Sequence, residues 1–149
     1  AIELARAVTC VTHDHPEGIK GAEVTALLIF DALHGAGKSE LRATAEKYYP
    51  LDFTIDEIRP FYRFNETCQD TVPQALKAFF EAESFEDTLR TAISVGGDSD
   101  TLAAIACSVA EAFYGVPEEM ARAAESYLDE RLKGVRDGFC STFCAKDES

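Results

Sequence analysis

The 149-residue chain has no tryptophan, one methionine and three histidines, and its 14 lysines and arginines are outnumbered by 27 aspartates and glutamates. The formal charge of −13 excludes the footprint of a nucleic-acid binder or of a protein held on anionic lipid, since both need a positive surface. No apolar run reaches the length of a membrane span, and no secretory signal pattern opens the chain. A soluble, cytoplasmic protein is expected. The five cysteines (Cys10, Cys68, Cys107, Cys140, Cys144) include no Cys-x-x-Cys pair. Cys140 and Cys144 stand four apart, but no second Cys/His pair with ligand spacing lies near them. Reduced, mostly buried thiols are expected there rather than zinc. Internal repeats, low-complexity linkers and strand patterns are absent as well.

What is present reads as helix, so the fold class is all-α. Apolar residues make up 46% of a chain long enough for one domain with a core. The chain begins at Ala1 within a helical pattern (Ile2, Leu4, Ala5, Val8), which reads as a fragment or a processed chain. Residues 18–34 are apolar on nearly every face from Val24 onward and predict a central helix that stops at Gly35 and Gly37. A short amphipathic helix follows Ser39, with Leu41 and Ala45 inward, and residues 50–70 read as irregular. Val72, Ala75, Leu76, Phe79 and Phe80 share one helical face. Ser84 with Asp87 predicts a capped helix running to Val95, with Phe85, Leu89, Ala92 and Ile93 as its inner stripe. The next helix carries Leu102, Ile105, Val109 and Phe113. Pro117 opens one last long helix, with Met120, Ala124, Tyr127 and Leu128 inward.

The stretch "VGGDSDTLAAIACSVAEAFYG", residues 95–115, places two glycines and two carboxylates at the mouth of an apolar helix. Residues two apart on a helix point about 200° apart, so Asp98 and Asp100 share a face only if one lies outside the helix. Gly96 and Gly97 permit the sharp turn that would leave Asp98 on a loop and Asp100 and Thr101 in the first helical turn. The carboxylates could then converge. Capping by Asp98 or Ser99 explains one acid; two acids, a hydroxyl and paired glycines also suit oxygen ligation of a hard cation. A calcium loop is excluded, because Leu102 breaks its pattern and Val109 stands where the closing glutamate belongs. Local chemistry leaves capping and cation ligation both open. A second polar stretch, "THDHPEGIKGA" (12–22), brings His13 and His15 together between two apolar helices, where metal binding, proton transfer and plain hydrogen bonding are all open to them. A third, "FNETCQDTVPQAL" (64–76), places Glu66 and Asp70 just ahead of a helix, with capping the simpler role for Asp70.

Taken in order and spacing, "VTHDHPEGIKGA", "CQDTVPQALKAFFEAESFEDTLRTAISVGGDSDTLAAIACSVAEAFYG" and "VPEEM" resemble the C-terminal portion of the ADP-ribosylglycohydrolase family. The resemblance covers essentially the whole chain. It implies a compact all-helical domain with a two-ion magnesium (sometimes manganese) centre that hydrolyses the bond between ADP-ribose and a protein or small-molecule acceptor. The family's Gly-Gly-Asp-x-Asp-Thr motif falls on Gly96, Gly97, Asp98, Ser99, Asp100 and Thr101. Asp98, Asp100 and Thr101 are thus the implied metal ligands, with Asp98 and Asp100 catalytic and Asp100 bridging both ions. Gly96, Gly97 and Ser99 are implied to contact substrate, and His13 to line the ADP-ribose pocket; His15 has a looser counterpart. The family's Thr-Asp-Asp-Thr motif and Gly-Asn-Gly loop have no counterpart in the chain. Two carboxylates and one hydroxyl cannot satisfy two octahedral ions. The expectation is therefore half an active site, its other half on a missing N-terminal part or supplied through self-association. An inactive fragment and a non-catalytic structural or ADP-ribose-binding member are the alternatives.

Overall fold

The computed structural model describes residues 1–143. Among these the chain forms α1 (Ile2–Thr9), α2 (Pro16–Leu33), α3 (Lys38–Ala45), α4 (Ile55–Ile58), α5 (Cys68–Glu81), α6 (Phe85–Ser94), α7 (Ser99–Tyr114), α8 (Glu118–Glu125) and α9 (Glu130–Phe143), with no strand. The elements divide into one unit over Ala1–Gly115 and a second that begins at Val116.

The first unit is organised by α5 and α7, each of which serves two cores. One core joins Val24, Leu28 and Ala32 of α2 to Leu41 and Ala45 of α3, Val72, Leu76 and Phe79 of α5, and Val109 and Ala110 of α7. The other gathers Ala75 and Ala78 of α5, Ala92 of α6, and Leu102, Ala103 and Ala106 of α7, with Ile55 and Val95 closing its ends. The second core is built largely of alanine, whose single methyl lets helix axes approach closely. Phe79 is fully buried and meets Phe80, Phe113 and Tyr114 at tilted or edge-on angles, with centroids 5.1 to 6.0 Å apart.

Polar groups tie the helix ends. Lys38 Nζ donates to the Ala82 carbonyl and to the Tyr114 hydroxyl (2.8 Å), and that hydroxyl donates to the same carbonyl (2.9 Å). The start of α3 and the ends of α5 and α7 are thus joined at one point. Buried Lys77 pairs with Glu81 (3.3 Å) and donates to the Leu51 carbonyl (3.3 Å), while Glu81 accepts from the Ile55 amide. These contacts anchor a stretch that reads as irregular in sequence but contains the short helix α4. Thr54 caps α4 reciprocally with Glu57, and both Thr54 bonds hold the Glu57 carboxyl below its ordinary range. That contribution to stability is present above the unfolded glutamate pKa and is lost as pH falls through the lowered folded value.

Several expectations need correction. The long helix expected from Pro117 is two helices, because the Asp129 carboxylate accepts from the Leu132 amide (2.8 Å) and starts α9 afresh. Arg136 then pairs with Glu125 of α8. Tyr127, expected inward, is 89% exposed, and neither α8 nor α9 buries a residue. On α6 the buried residues are Thr88 and Ala92, with Ile93 about half exposed. Thr88 is fully enclosed because its hydroxyl donates to the Ser84 carbonyl (2.8 Å). Ser84 accepts from the Asp87 amide as expected, but Asp87 returns the bond to Glu83 rather than to Ser84. Cys10, Cys68 and Cys107 are half-buried free thiols and Cys140 is an exposed one; Cys144 lies outside the described residues. Burial raises the Cys107 thiol above its ordinary pKa, with Glu111 adding to the shift.

The three-way tie at Ala82 can be measured. Tyr114→Phe is expected to lower unfolding free energy by ~1 kcal/mol, the contribution of a hydrogen bond in a part-buried setting. Urea denaturation of the variant beside the parent checks it, and an unchanged midpoint would show that the tie contributes nothing.

Candidate functional site

The turn between α6 and α7 is built by two glycines in left-handed conformation, Gly96 at φ +79 and Gly97 at φ +62. Gly97 is constrained twice. A Cβ there would stand 2.8 Å from Cε1 of Tyr62 and 3.0 Å from the carbonyl carbon of Arg63. Gly96 meets nothing within 4 Å, so only its backbone angle calls for glycine.

The reversal puts Asp98 at the N-cap of α7, outside the helix, with Ser99, Asp100 and Thr101 in its first turn. The Asp98 carboxylate makes no capping bond; only its carbonyl joins the helix, accepting from Leu102 (3.0 Å). Asp98 and Asp100 thus stand two residues apart, one outside the helix and one in its first turn. The Asp98 side chain is the chief cause holding the Asp100 carboxyl below its ordinary range, followed by the Thr101 amide, which donates to Oδ1 at 3.1 Å. Two neighbouring carboxylates repel unless a proton or cation lies between them, and the positive end of α7 eases the concentration of charge. Thr101 is exposed and Ser99 half-buried. Among the described residues no group of three or more His, Cys, Asp and Glu could hold a metal ion.

The histidines sit in a separate cleft of about 550 Å³, lined by Thr12, His13, His15, Glu66, Cys68 and Gln69 among others. None of residues 96–101 lines it. His13 Nδ1 lies 2.8 Å from the Thr12 hydroxyl. His15 has a structural task, since its Nδ1 accepts from the Glu17 amide (3.2 Å) at the N-cap of α2. Asp70 closes the loop before α5 by accepting from Asn65 (3.1 Å) and from the Thr67 hydroxyl (3.0 Å). Next to the histidine cleft, sharing Gly18 and Cys68, is an apolar groove of about 410 Å³ walled by Ala22, Ala26, Ile29, Val72 and Ile105.

Tyr62 was not legible as a site residue. Its ring packs against the alanine-rich core and against Gly97, and its hydroxyl donates to the Asp70 carbonyl (3.0 Å). Burial above all raises its phenol, and the Asp98 and Asp70 charges add to the shift against a lowering contact with Thr71. The phenol therefore stays a donor at neutral pH. No local spacing marks such a contact, because the two partners lie far apart in the chain.

Residues 1–146 match the profile of the ADP-ribosylglycohydrolase family. The ADP-ribosylarginine hydrolase Tri1 of Pseudomonas putida (strain GB-1) is 30% identical over 133 residues, covering 82% of this chain and 36% of that protein. The ADP-ribosyl-[dinitrogen reductase] glycohydrolase of Rhodospirillum rubrum is 26% identical over 110 residues, covering 72% and 37%. The human ADP-ribosylhydrolase ARH3 is 40% identical over 63 residues, covering 40% and 16%. The chain therefore spans little more than a third of the first two relatives. No solved structure matches.

Capping by His15 is testable apart from any chemistry. His15→Asn is expected to keep the stability of the parent, and His15→Ala to lose about 1 kcal/mol, the usual cost of removing an N-cap acceptor. Denaturation midpoints of the three proteins at one neutral pH decide it.

Proposed function

The chain belongs to the ADP-ribosylglycohydrolase family, and we propose that its Gly96–Thr101 turn forms one part of a magnesium- or manganese-dependent centre that hydrolyses the bond between ADP-ribose and an acceptor. The acceptor is a protein side chain or a small molecule. The observation that carries the reading is the adjacency of Asp98 and Asp100 at the mouth of α7, with the Asp98 carboxylate unused as a cap. The donor set fits a hard cation in kind, since carboxylates and the Thr101 and Ser99 hydroxyls are all oxygen ligands. It is short in number for two ions. The remaining ligands would come from residues outside this chain.

In this reading Asp98, Asp100 and Thr101 would hold the ions, with Asp100 the residue shared between them. When bound, the ions supply Lewis-acid polarisation and orient the ribose hydroxyls and the attacking water. Gly96, which meets nothing within 4 Å, lets substrate approach the backbone, Gly97 contributes its backbone on the side away from Tyr62, and Ser99 adds a hydroxyl at the helix mouth. The N-terminus of α7 favours negative charge on the substrate side. His13, on the wall of the histidine cleft, orients ADP-ribose. Cleavage at the anomeric carbon passes through an oxocarbenium-like transition state. The apolar groove on α2, α5 and α7 supports the second half of the proposal, that another segment or a second copy packs there. The incomplete ligand set also favours a second reading, a chain that binds ADP-ribose or serves structurally without turnover.

Two measurements separate these readings. Alone, the chain is expected to bind magnesium weakly and to release no ADP-ribose; a segment carrying the Thr-Asp-Asp-Thr motif should restore both and shift the sedimentation coefficient. Hydrolysis by the chain alone as a monomer would refute the divided site. In the completed protein, Asp100→Ala should abolish ADP-ribose release and Asp98→Ala nearly so, beyond the ~10–100-fold cost of losing an outer-sphere partner. His13→Ala should chiefly raise KM. Parental turnover by Asp100→Ala would remove its bridging role.

A further inference from the structure

The acidic turn does not hold itself in place. Its two glycines take angles that an unfolded or loosened chain would leave readily, and the Asp98 side chain has no capping bond to fix it. What stands against it is Tyr62. The ring occupies the space where a Gly97 side chain would be and packs on the core that contains Val95 and Leu102, the buried residues on either side of the turn. Its hydroxyl is fastened to the Asp70 carbonyl in the first turn of α5 (3.0 Å).

The segment that carries the ring is itself tethered. The Tyr62 amide donates to Ile58 (2.8 Å), and Arg59 reaches Ser94 at the end of α6 through two guanidinium nitrogens (3.2 and 3.0 Å). The Arg63 side chain donates back to the Tyr62 carbonyl (2.8 Å). Loop and turn are thus joined at Ser94, just before the glycines, and at Tyr62, against them.

We infer that Tyr62 is the positioning residue of the Asp98–Asp100 pair: its ring wedges Gly97 into the conformation that places the two carboxylates side by side. The inference rests on the reading of that pair as cation ligands. Ring volume does most of the positioning, because the contact with Gly97 is made by ring carbons, and the hydroxyl tether keeps the ring from swinging away. Loss of the ring lets the turn relax and the carboxylates part, so cation affinity falls although both ligands are still present.

The absence of tryptophan makes a direct optical test possible. Terbium(III) is a hard, oxygen-seeking ion whose emission is sensitised by a tyrosine close to it. The 149-residue chain titrated with terbium, excited through tyrosine, should show emission that Asp100→Asn and excess magnesium both remove. Tyr62→Phe keeps the wedge and removes the antenna. Its sensitised emission should vanish while its affinity, read by directly excited terbium lifetime, stays within about fivefold, the effect of one neutral hydrogen bond. Tyr62→Ala should weaken affinity by ~10-fold or more, as loss of an outer-sphere partner does, with the helical circular dichroism retained. Tyr62→Leu, which restores part of the volume, should fall between and covers the case in which the alanine variant does not fold.

A purely structural role would lower denaturation midpoints without changing the affinity of the folded fraction. If Tyr62→Ala and Tyr62→Leu bind terbium as the parent does while Asp100→Asn does not, the positioning role is overturned and the ligand reading stands. If Asp98→Asn and Asp100→Asn both bind as the parent does, the ligand reading is overturned and the positioning role with it.

Discussion

Short side chains between α5, α6 and α7 set the geometry of this protein. Ala75, Ala78, Ala92, Ala103 and Ala106 meet where longer residues would force the helices apart. Overpacking such a contact typically costs about 1–3 kcal/mol, so the three helices have little freedom to shift or rotate. Through that contact α7 faces two cores at once, and its N-terminus is delivered to one place. The acidic turn, the tyrosine against it and the tie at Ala82 all follow from where α7 must lie.

The charge distribution has to be understood at the same local scale. A chain with a formal charge of −13 repels a pyrophosphate at long range. Under the proposed function, attraction comes from the helix mouth and from ions held by the aspartates, both of which act over a few ångströms. The net charge then becomes a reason for the metal rather than an objection to the substrate.

Much of the fold could be read from the chain because it is written in short-range terms. Val24, Leu28 and Ala32 repeat at helical spacing, and Gly35, Gly96 and Gly97 stop helices through angles that only glycine adopts easily. The errors fell where local signals tie. Tyr127 and Leu128 continue a helical stripe on paper, but Asp129 offers a cap and the chain takes it. Ile93 fits the inner stripe of α6 by spacing, yet Thr88 is enclosed there beside Ala92, since its hydroxyl is satisfied within the helix. Of the roles open to His15, plain hydrogen bonding is the one seen, at the cap of α2.

For the candidate site, sequence by itself determined the ingredients: the reversal at Gly96–Gly97, an oxygen-donor set, and a helix that begins just after Asp98. These are properties of neighbouring residues and depend on dihedral preference and periodicity alone. Tertiary structure decided that His13 and His15 lie in a cleft that residues 96–101 do not line, and that Tyr62 stands against Gly97. Each of those depends on how helices far apart in the chain pack, and packing is governed by the summed volume of many side chains rather than by the spacing of any few.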